Sequence, residues 1–482
     1  MSERRDVVVV GGGLAGIAAA LDCAAAGASV TLVEVRRRLG GAAYSVDRDG
    51  LQMDNGQHVF LRGCLAYREL LARLGSERHV RVQERLEIPV LSPGRAPYRL
   101  RRSSLPAPAH LGWTLARYPL LPLRARLSVV RAALALMRAG RAGSEDLAED
   151  RETLGAWLAR HGQGPEAIAA LWDLIALPTL NLPAEQASLA LGEFVFRRGL
   201  LTSASDGDIG FHAGTLAQVI GGPAEAALAR AGVEVRLGWR AQSLVRVDGG
   251  VEVGGQDGAA PGDGVRARCA VVALPHNRAA GLLEPLLGEQ AARWRGLGAS
   301  PIVNLHVVYD RVVCDEPFAA GVRTPVQYLF DRSAAAGAPP GCQYLAVSLS
   351  GAEREMSESV EDLRARYIPA LEQLLPRARG ARVESFLVTR EHAATFRAAP
   401  GVGALRPAAR TPVPELMLAG AWTDTGWPAT LEGAVLSGRE AAAGALAQVG
   451  LARSAAAASA QASAAAGAGL PGRPGVPAEA AP

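Results

Sequence analysis

The stretch Val7-Val-Val-Val-Gly11-Gly-Gly13-Leu14-Ala15-Gly16, followed by Glu34 at the end of the next apolar run, carries the first chemistry legible in this 482-residue chain. Four apolar residues and then three glycines suit a buried strand that turns sharply into a helix. Gly11 permits the turn, and Gly13 lets backbone N–H groups approach a pyrophosphate. Gly16 lets the helix lie close on its strand, so that the helix N-terminus faces phosphates. Glu34 stands 18 residues after Gly16, where a carboxylate can accept both hydroxyls of an adenosine ribose. Strand, helix, second strand (29–33) and acid in this order predict a dinucleotide-binding βαβ unit.

Two further motifs narrow the ligand. After Glu34 come Arg36 and Arg38 and then Gly40-Gly41, a second glycine loop that suits the pyrophosphate of FAD better than that of NAD. Asp54-Asn-Gly56-Gln57-His58 follows, a polar turn whose glycine, flanked by amide and imidazole donors, could admit backbone to the N5 or O4 edge of a flavin ring. His58 taken alone reads equally well as a hydrogen-bonded structural histidine. Far downstream, Leu418-Ala-Gly420-Ala421-Trp422 leads through Asp424 and Trp427 to Thr430-Leu-Glu432-Gly433-Ala434. A strand, an aromatic-rich turn and a Gly-Ala helix start predict a second phosphate or flavin contact, again through a helix N-terminus.

These motifs need elements to hold them, and the pattern of the chain supplies three blocks for one nucleotide-binding layer. The first is residues 1–85, the second 226–275, with strands separated by Gly/Asp-rich turns, and the third 400–451. Two insertions, 86–225 and 276–399, mix helices with strands and would build a substrate domain. From 452 to 482 the chain is poor in large apolar residues and reads as disordered. In the first insertion Leu123, Leu127, Val130, Leu134 and Met137 form an apolar stripe within a segment, 111–138, that also carries Arg117, Arg124, Arg126, Arg131 and Arg138. Such a helix either lies on an anionic membrane surface or turns its stripe into the core.

Bulk properties close off several classes of function. The net charge is +4 and every one of the 51 basic residues is arginine, so nucleic acid is not implied and chemistry that needs a lysine amine is excluded. The five cysteines are scattered without a C-x-x-C, which argues against structural disulfides and a metal site and fits a reducing cytoplasm. There is no run of about 18 apolar residues to span a bilayer.

Taken together, the three motifs resemble the FAD-binding domain of the amine oxidase and carotenoid desaturase superfamily. Nearer still, Asp54–His58, Leu180-Asn181, Ser300–His306, Ala394–Phe396 and Thr425–Thr430 with Glu432–Ala434 resemble the squalene-associated desaturases, which act as hydroxysqualene dehydroxylases in bacterial hopanoid synthesis. The likeness runs over residues 5–445 and implies an α/β fold. Its Rossmann-like FAD-binding domain would be of the amine oxidase and glutathione reductase type, with an inserted α+β substrate domain. Ala42 and Ala421 depart from the superfamily, which places an arginine and an acid there against the cofactor.

The resemblance implies a long isoprenoid alcohol, hydroxysqualene, that loses water to an allylic cation and takes hydride from reduced flavin. Asp424, His58 and Glu432 are then the candidate proton donors, and Trp422 and Trp427 the candidate aromatic faces for the cation. A carotenoid desaturase, an amine oxidase, or a flavin- or lipid-binding protein without catalysis are the rival readings. No second nucleotide motif for NAD(P)H appears, so the electron donor would be a separate, unidentified partner. The expected location is the cytoplasm, with peripheral contact on the inner face of the plasma membrane.

Overall fold

The computed structural model describes residues 4–142, 150–256 and 264–452. The segment read as disordered therefore lies, from residue 453 on, outside the described residues.

Val7–Val10 of β1 (Arg5–Val10) are at most 2% exposed, as a strand covered on both faces must be. β1 pairs in parallel with β2 (Val30–Glu34) on one side and with Val265–Val272 on the other. Glu234–Leu237 continues the parallel ladder beyond β2, and Leu416–Leu418 runs parallel to the last residues of Val265–Val272. Gly250–Gln256 and Arg240–Val247 complete the seven-stranded sheet as an antiparallel meander. The carboxyl ends of the parallel strands therefore open along one edge, where open parallel sheets bind ligands.

α1 (Leu14–Ala25) is built from alanine, glycine and aliphatic residues apart from Asp22 and Cys23 and is buried over most of its length. Small side chains let it pack tightly against the helix Leu431–Gln448. A Cβ on Gly438 of that helix would stand 2.2 Å from the Ala15 carbonyl oxygen. The boundary read at residue 225 falls within the helix Gly222–Arg230. Leu228 of that helix packs in the same core as α1, together with Val219 and Ile220 just before it.

The second sheet also has seven strands: Val383–Thr395, Ser300–Tyr309, Gln343–Ser350, Tyr328–Asp331, Phe318–Gly321, Glu87–Leu91 and Tyr98–Arg101, in that order. It is antiparallel except where Phe318–Gly321 meets Glu87–Leu91. In Ser300–Tyr309 the two-residue period sends Val303, Leu305 and Val307 into one core and Asn304 and His306 to the opposite face. A small third sheet, Val59–Leu61, Ile209–His212 and Val80–Val82, lies beside the polar turn at 54–58.

The helix Leu123–Ala142 splits the stripe expected of it. Val129, Ala132, Leu136 and Met137 are buried, while Leu123, Leu127 and Val130 are exposed.

Candidate active site

The glycine loop between β1 and α1 is shaped by its own backbone. Gly11 has φ +112°, and a Cβ there would lie 2.5 Å from the Ala273 carbonyl oxygen; at Gly16 it would lie 1.9 Å from that of Gly11. No larger residue fits either position without moving backbone. Gly13 differs: its φ is −78° and the nearest atom to an added Cβ is the Gly41 Cα at 3.7 Å. Within the chain Gly13 could be any small residue, so its space is open to a ligand. Gly13 caps α1 without a side-chain acceptor and the first turn carries no acid, which leaves the helix N-terminus to an anion.

Glu34 is buried at the end of β2. Its Oε2 accepts the Gly12 N–H at 2.7 Å and its Oε1 accepts the Arg36 N–H at 2.8 Å. These two bonds aim the carboxylate at the loop and leave each oxygen a lone pair for a hydroxyl. Gly40 donates to the Gly12 carbonyl at 2.9 Å, and Arg36 and Arg38 both reach the Gly41 carbonyl at 3.3 Å. Arg38 also lies over the Tyr44 ring at 3.7 Å. Two guanidinium groups thus converge on the loop beside Ala42. Gly420, at φ +139°, leaves the strand Leu416–Leu418 at the same sheet edge. The loops from all three motifs meet here, and their glycines, arginines and free helix end fit a dinucleotide.

From this cradle a hydrogen-bonded chain leads to a cleft. The Asn55 amide donates to the Ala42 carbonyl and to Glu391, each at 2.9 Å, and Glu391 also accepts the Tyr44 hydroxyl at 2.8 Å. The Asn55 carbonyl is held by Asn304 Nδ2 at 2.8 Å and Thr389 Oγ1 at 3.3 Å. His306 braces Thr389 at 3.0 Å and Tyr344 at 2.6 Å, and burial pushes its pKa down to about 4, so it is neutral. The next residues, Gly56 to His58, are therefore fixed by the second sheet. Among the described residues two buried polar atoms beside them have no partner, Gln57 Nε2 and Asn304 Oδ1. Unpaired buried amides are costly, and a polar-edged ring laid against them would satisfy them.

The cleft at Gln57 and His58 has a volume of about 720 Å³ and a predominantly apolar wall that includes Phe211, Phe318 and Phe330. Its ionisable groups are mostly engaged. Asp54 accepts from Arg332 at 2.9 Å, from Ser45 at 2.7 Å and from the Leu216 N–H at 2.9 Å. Asp331 is bonded to Ser333 and Gln343. His212 meets the Tyr67 hydroxyl at 2.8 Å, and burial pushes its pKa down to about 3. His58 sets Nδ1 3.2 Å from the Gly56 carbonyl, which makes Nδ1 the donor and leaves Nε2 for a ligand. Burial lowers its pKa below the ordinary histidine value, against a smaller opposing effect of the Gly56 carbonyl.

Three expected residues stand elsewhere than the sequence suggested. Asp424 is exposed, its Oδ1 accepting from the Gly426 N–H at 3.3 Å, because the 423–427 turn projects it outward. It lines a different pocket, with Glu193, Phe194 and Arg406. Trp422 is 4% exposed, packed between Trp294 and His276, with its indole N–H on the Leu274 carbonyl at 2.9 Å. It is a packing residue of the first sheet. Trp427 is half-buried, edge-on to Phe194 at 5.1 Å. Both tryptophan carbonyls and that of Thr423 are gathered by the buried Arg406, a clamp that nothing in the local sequence announces.

Glu432 does not cap its own helix. Thr430 does that, accepting the Gly433 N–H at 3.1 Å. Glu432 instead accepts the N–H groups of Ala66 at 3.0 Å and Tyr67 at 2.7 Å, in the first turn of α2 (Leu65–Leu74). Burial raises its pKa and the two backbone bonds oppose that. A carboxylate at a helix N-terminus contributes roughly 1–2 kcal/mol when partly buried. Glu432→Ala should therefore lower stability by about 2–3 kcal/mol, since it also strands two buried donors. The check is a denaturant titration, in which turnover per bound flavin should stay within about twofold of wild type.

The comparisons with known proteins agree with this geometry. The family described as flavin containing amine oxidoreductase matches residues 14–446. The hydroxysqualene dehydroxylase of Rhodopseudomonas palustris is 30% identical over 458 residues, covering 91% of this chain and 97% of that one. The 15-cis-phytoene desaturase of Narcissus pseudonarcissus is 26% identical, over 90% of this chain and 78% of its own length. Among solved structures, putrescine oxidase bound to putrescine superposes with a TM-score of 0.68 at 19% identity, over 92% of this chain and 99% of that chain. Cyclohexylamine oxidase from Brevibacterium oxydans gives 0.67 at 20% identity, over 93% and 99%. At such identity the two structures speak for the fold, an α/β Rossmann-like architecture of the amine oxidase type.

Proposed function

The chain belongs to the family of flavin-containing amine oxidoreductases, and from that premise we propose that it is an FAD-dependent enzyme that reduces hydroxysqualene to squalene. The observation that carries this reading is the cleft beside the Gly56–His58 turn. Apolar atoms make up most of its exposed wall, charged and polar side chains stand among them, and His58 Nε2 is offered to a hydroxyl group. The full-length likeness to a hydroxysqualene dehydroxylase supports the choice of substrate. A diammonium substrate would want free carboxylates; Asp54 and Asp331 are engaged within the fold, and Asp315 pairs with Arg377 at the surface.

Bound in the cradle in its reduced form, FAD would supply a hydride. Gly13, Leu14, Ala15 and the α1 N-terminus would hold its pyrophosphate, with Arg36 and Arg38 behind Gly41, and Glu34 would hold the adenosine ribose. Gly56 and Gln57 would support the ring edge. Gly420, Ala421, Gly433 and Ala434 would border the cofactor on the third side. Protonated at Nε2, His58 gives its proton to the substrate hydroxyl as the carbon–oxygen bond breaks. Water leaves, the imidazole becomes neutral, and the positive charge passes to the allylic carbons. A hydride from the cofactor would complete the balance: one alcohol, one proton and one hydride give squalene and water. Phe211, Phe318 and Phe330 offer aromatic faces to the cation and no nucleophile.

Because Asp424 is solvent-exposed, Asp424→Asn should change kcat by less than about threefold; general-acid groups are worth ~100-fold or more. A larger loss in a steady-state assay would return Asp424 to the reaction. The substrate itself is tested with photoreduced holoenzyme under anaerobic conditions. Reoxidation of the flavin by hydroxysqualene, and not by phytoene, supports the reading. Oxidised flavin that bleaches with phytoene or an amine instead would replace it with a desaturase or an amine oxidase. The electron donor is proposed to be a separate partner, and the enzyme to work in the cytoplasm beside the membrane that dissolves its hydrocarbon substrate.

A further inference from the structure

Between Glu87 and Glu145 the sequence has ten arginines and no carboxylate. Some of these cations are spent within the fold. Arg99, Arg101 and Arg102 pair with Glu87, Glu316 and Asp208, while Arg95 and Arg126 donate to backbone carbonyls. Arg117 lies over the Trp113 ring at 3.8 Å. Arg124 and Arg131 are exposed and have no carboxylate partner among the described residues.

The same stretch concentrates exposed apolar surface. Of the eleven large hydrophobic side chains exposed among the described residues, five are here: Leu105, Trp113, Leu123, Leu127 and Val130. Trp113 is 63% exposed, Leu123 67% and Leu127 60%, far from the ordinary condition of such residues. Leu123, Leu127 and Val130 recur at spacings of four and three along one face of the helix Leu123–Ala142, flanked by Arg124 and Arg131. The opposite face, Val129, Ala132 and Leu136, packs in the same core as Phe318 and Phe330 of the cleft. The buried face of this helix and the aromatic wall of the candidate active site thus belong to one hydrophobic core.

We propose that this face docks on a bilayer containing anionic phospholipid, with Trp113, Leu123, Leu127 and Val130 entering the acyl boundary and the arginines meeting phosphates. An apolar stripe bordered by cations is the signature of an interfacial helix. A second copy of the chain is a poor occupant, because a twofold contact through this face would bring together two cationic surfaces whose sequence segment carries no carboxylate to complement them. The proposal deepens the functional reading above and rests on it only for why a hydrocarbon should arrive here; the docking itself stands on surface chemistry.

Flotation of the full-length holoprotein with phosphatidylcholine vesicles, and with phosphatidylcholine/phosphatidylglycerol vesicles, tests it. Wild type should bind the anionic vesicles at least about tenfold more tightly, and salt should weaken that binding. Arg124→Gln/Arg131→Gln should remove about tenfold of the preference, and Leu123→Ser/Leu127→Ser should abolish flotation. Flavin spectrum and melting temperature should be unchanged in both, since all four side chains are on the surface. The proposal is overturned if wild type fails to float, if the variants float as wild type does, or if sedimentation shows a dimer that Leu123→Ser/Leu127→Ser dissociates. Turnover of detergent-dispersed hydroxysqualene, measured in parallel, separates the two ideas. Flotation without turnover in any variant refutes the substrate and leaves the docking surface.

Discussion

Gly13→Val is expected to give a folded protein that purifies without its flavin. The position has ordinary backbone geometry, and an added Cβ meets nothing in the chain closer than the Gly41 Cα at 3.7 Å. The fold should accept the larger side chain and melt within a few degrees of wild type. What the side chain fills is the space in front of the α1 N-terminus, where the pyrophosphate would lie. A loss of at least about 100-fold in cofactor affinity, roughly 2.7 kcal/mol, is the expected size. Fluorescence titration of the apoprotein with FAD measures it. Gly11→Ala is the control with the opposite signature. Its φ of +112° and a 2.5 Å approach to the Ala273 carbonyl make alanine a folding defect, lowering the melting temperature as well as the flavin content. Full flavin occupancy in Gly13→Val would remove the cofactor from this cradle.

His58→Gln is expected to cost about 100-fold to 10,000-fold in kcat/KM with flavin content unchanged, the range by which a positioned acid speeds a reaction. The sign of the pH dependence follows from burial. His58 titrates below the ordinary histidine value, so at neutral pH little of it carries the proton it must give. Wild-type kcat/KM should therefore rise as pH falls through neutrality, by up to about tenfold per unit, and level off below the lowered pKa. The glutamine variant should lack that limb. A variant with the wild-type profile would mean that another group supplies the proton.

Much of the cradle was legible in the sequence for a steric reason. Gly11 and Gly16 stand where a Cβ would strike backbone, and only glycine satisfies such positions, so their spacing is informative without any partner being known. Glu34 is legible because it ends β2 at the same sheet edge. Asp424 and Trp422 misled because proximity to a glycine-rich turn says nothing about direction: one carboxylate swings to solvent, and one indole turns under the sheet.

Glu432 is expected from the sequence to serve as a proton donor or flavin contact, and its partners are backbone N–H groups 365 and 366 residues away. The brace of Asn304, Thr389 and Glu391 behind Asn55 is likewise made across long separations that no local pattern encodes. Phe211, Phe318 and Phe330 come together only when the third sheet meets the second. The stripe on Leu123–Ala142 was visible, but which half of it faces outward depended on how the helix is seated.

The most direct test of the proposed reaction is product analysis after a single turnover. Holoenzyme reduced anaerobically, freed of excess reductant and mixed with hydroxysqualene should yield one squalene per reduced flavin by mass spectrometry, as the flavin spectrum returns to the oxidised form. Recovery of unchanged hydroxysqualene beside a flavin that stays reduced would contradict it.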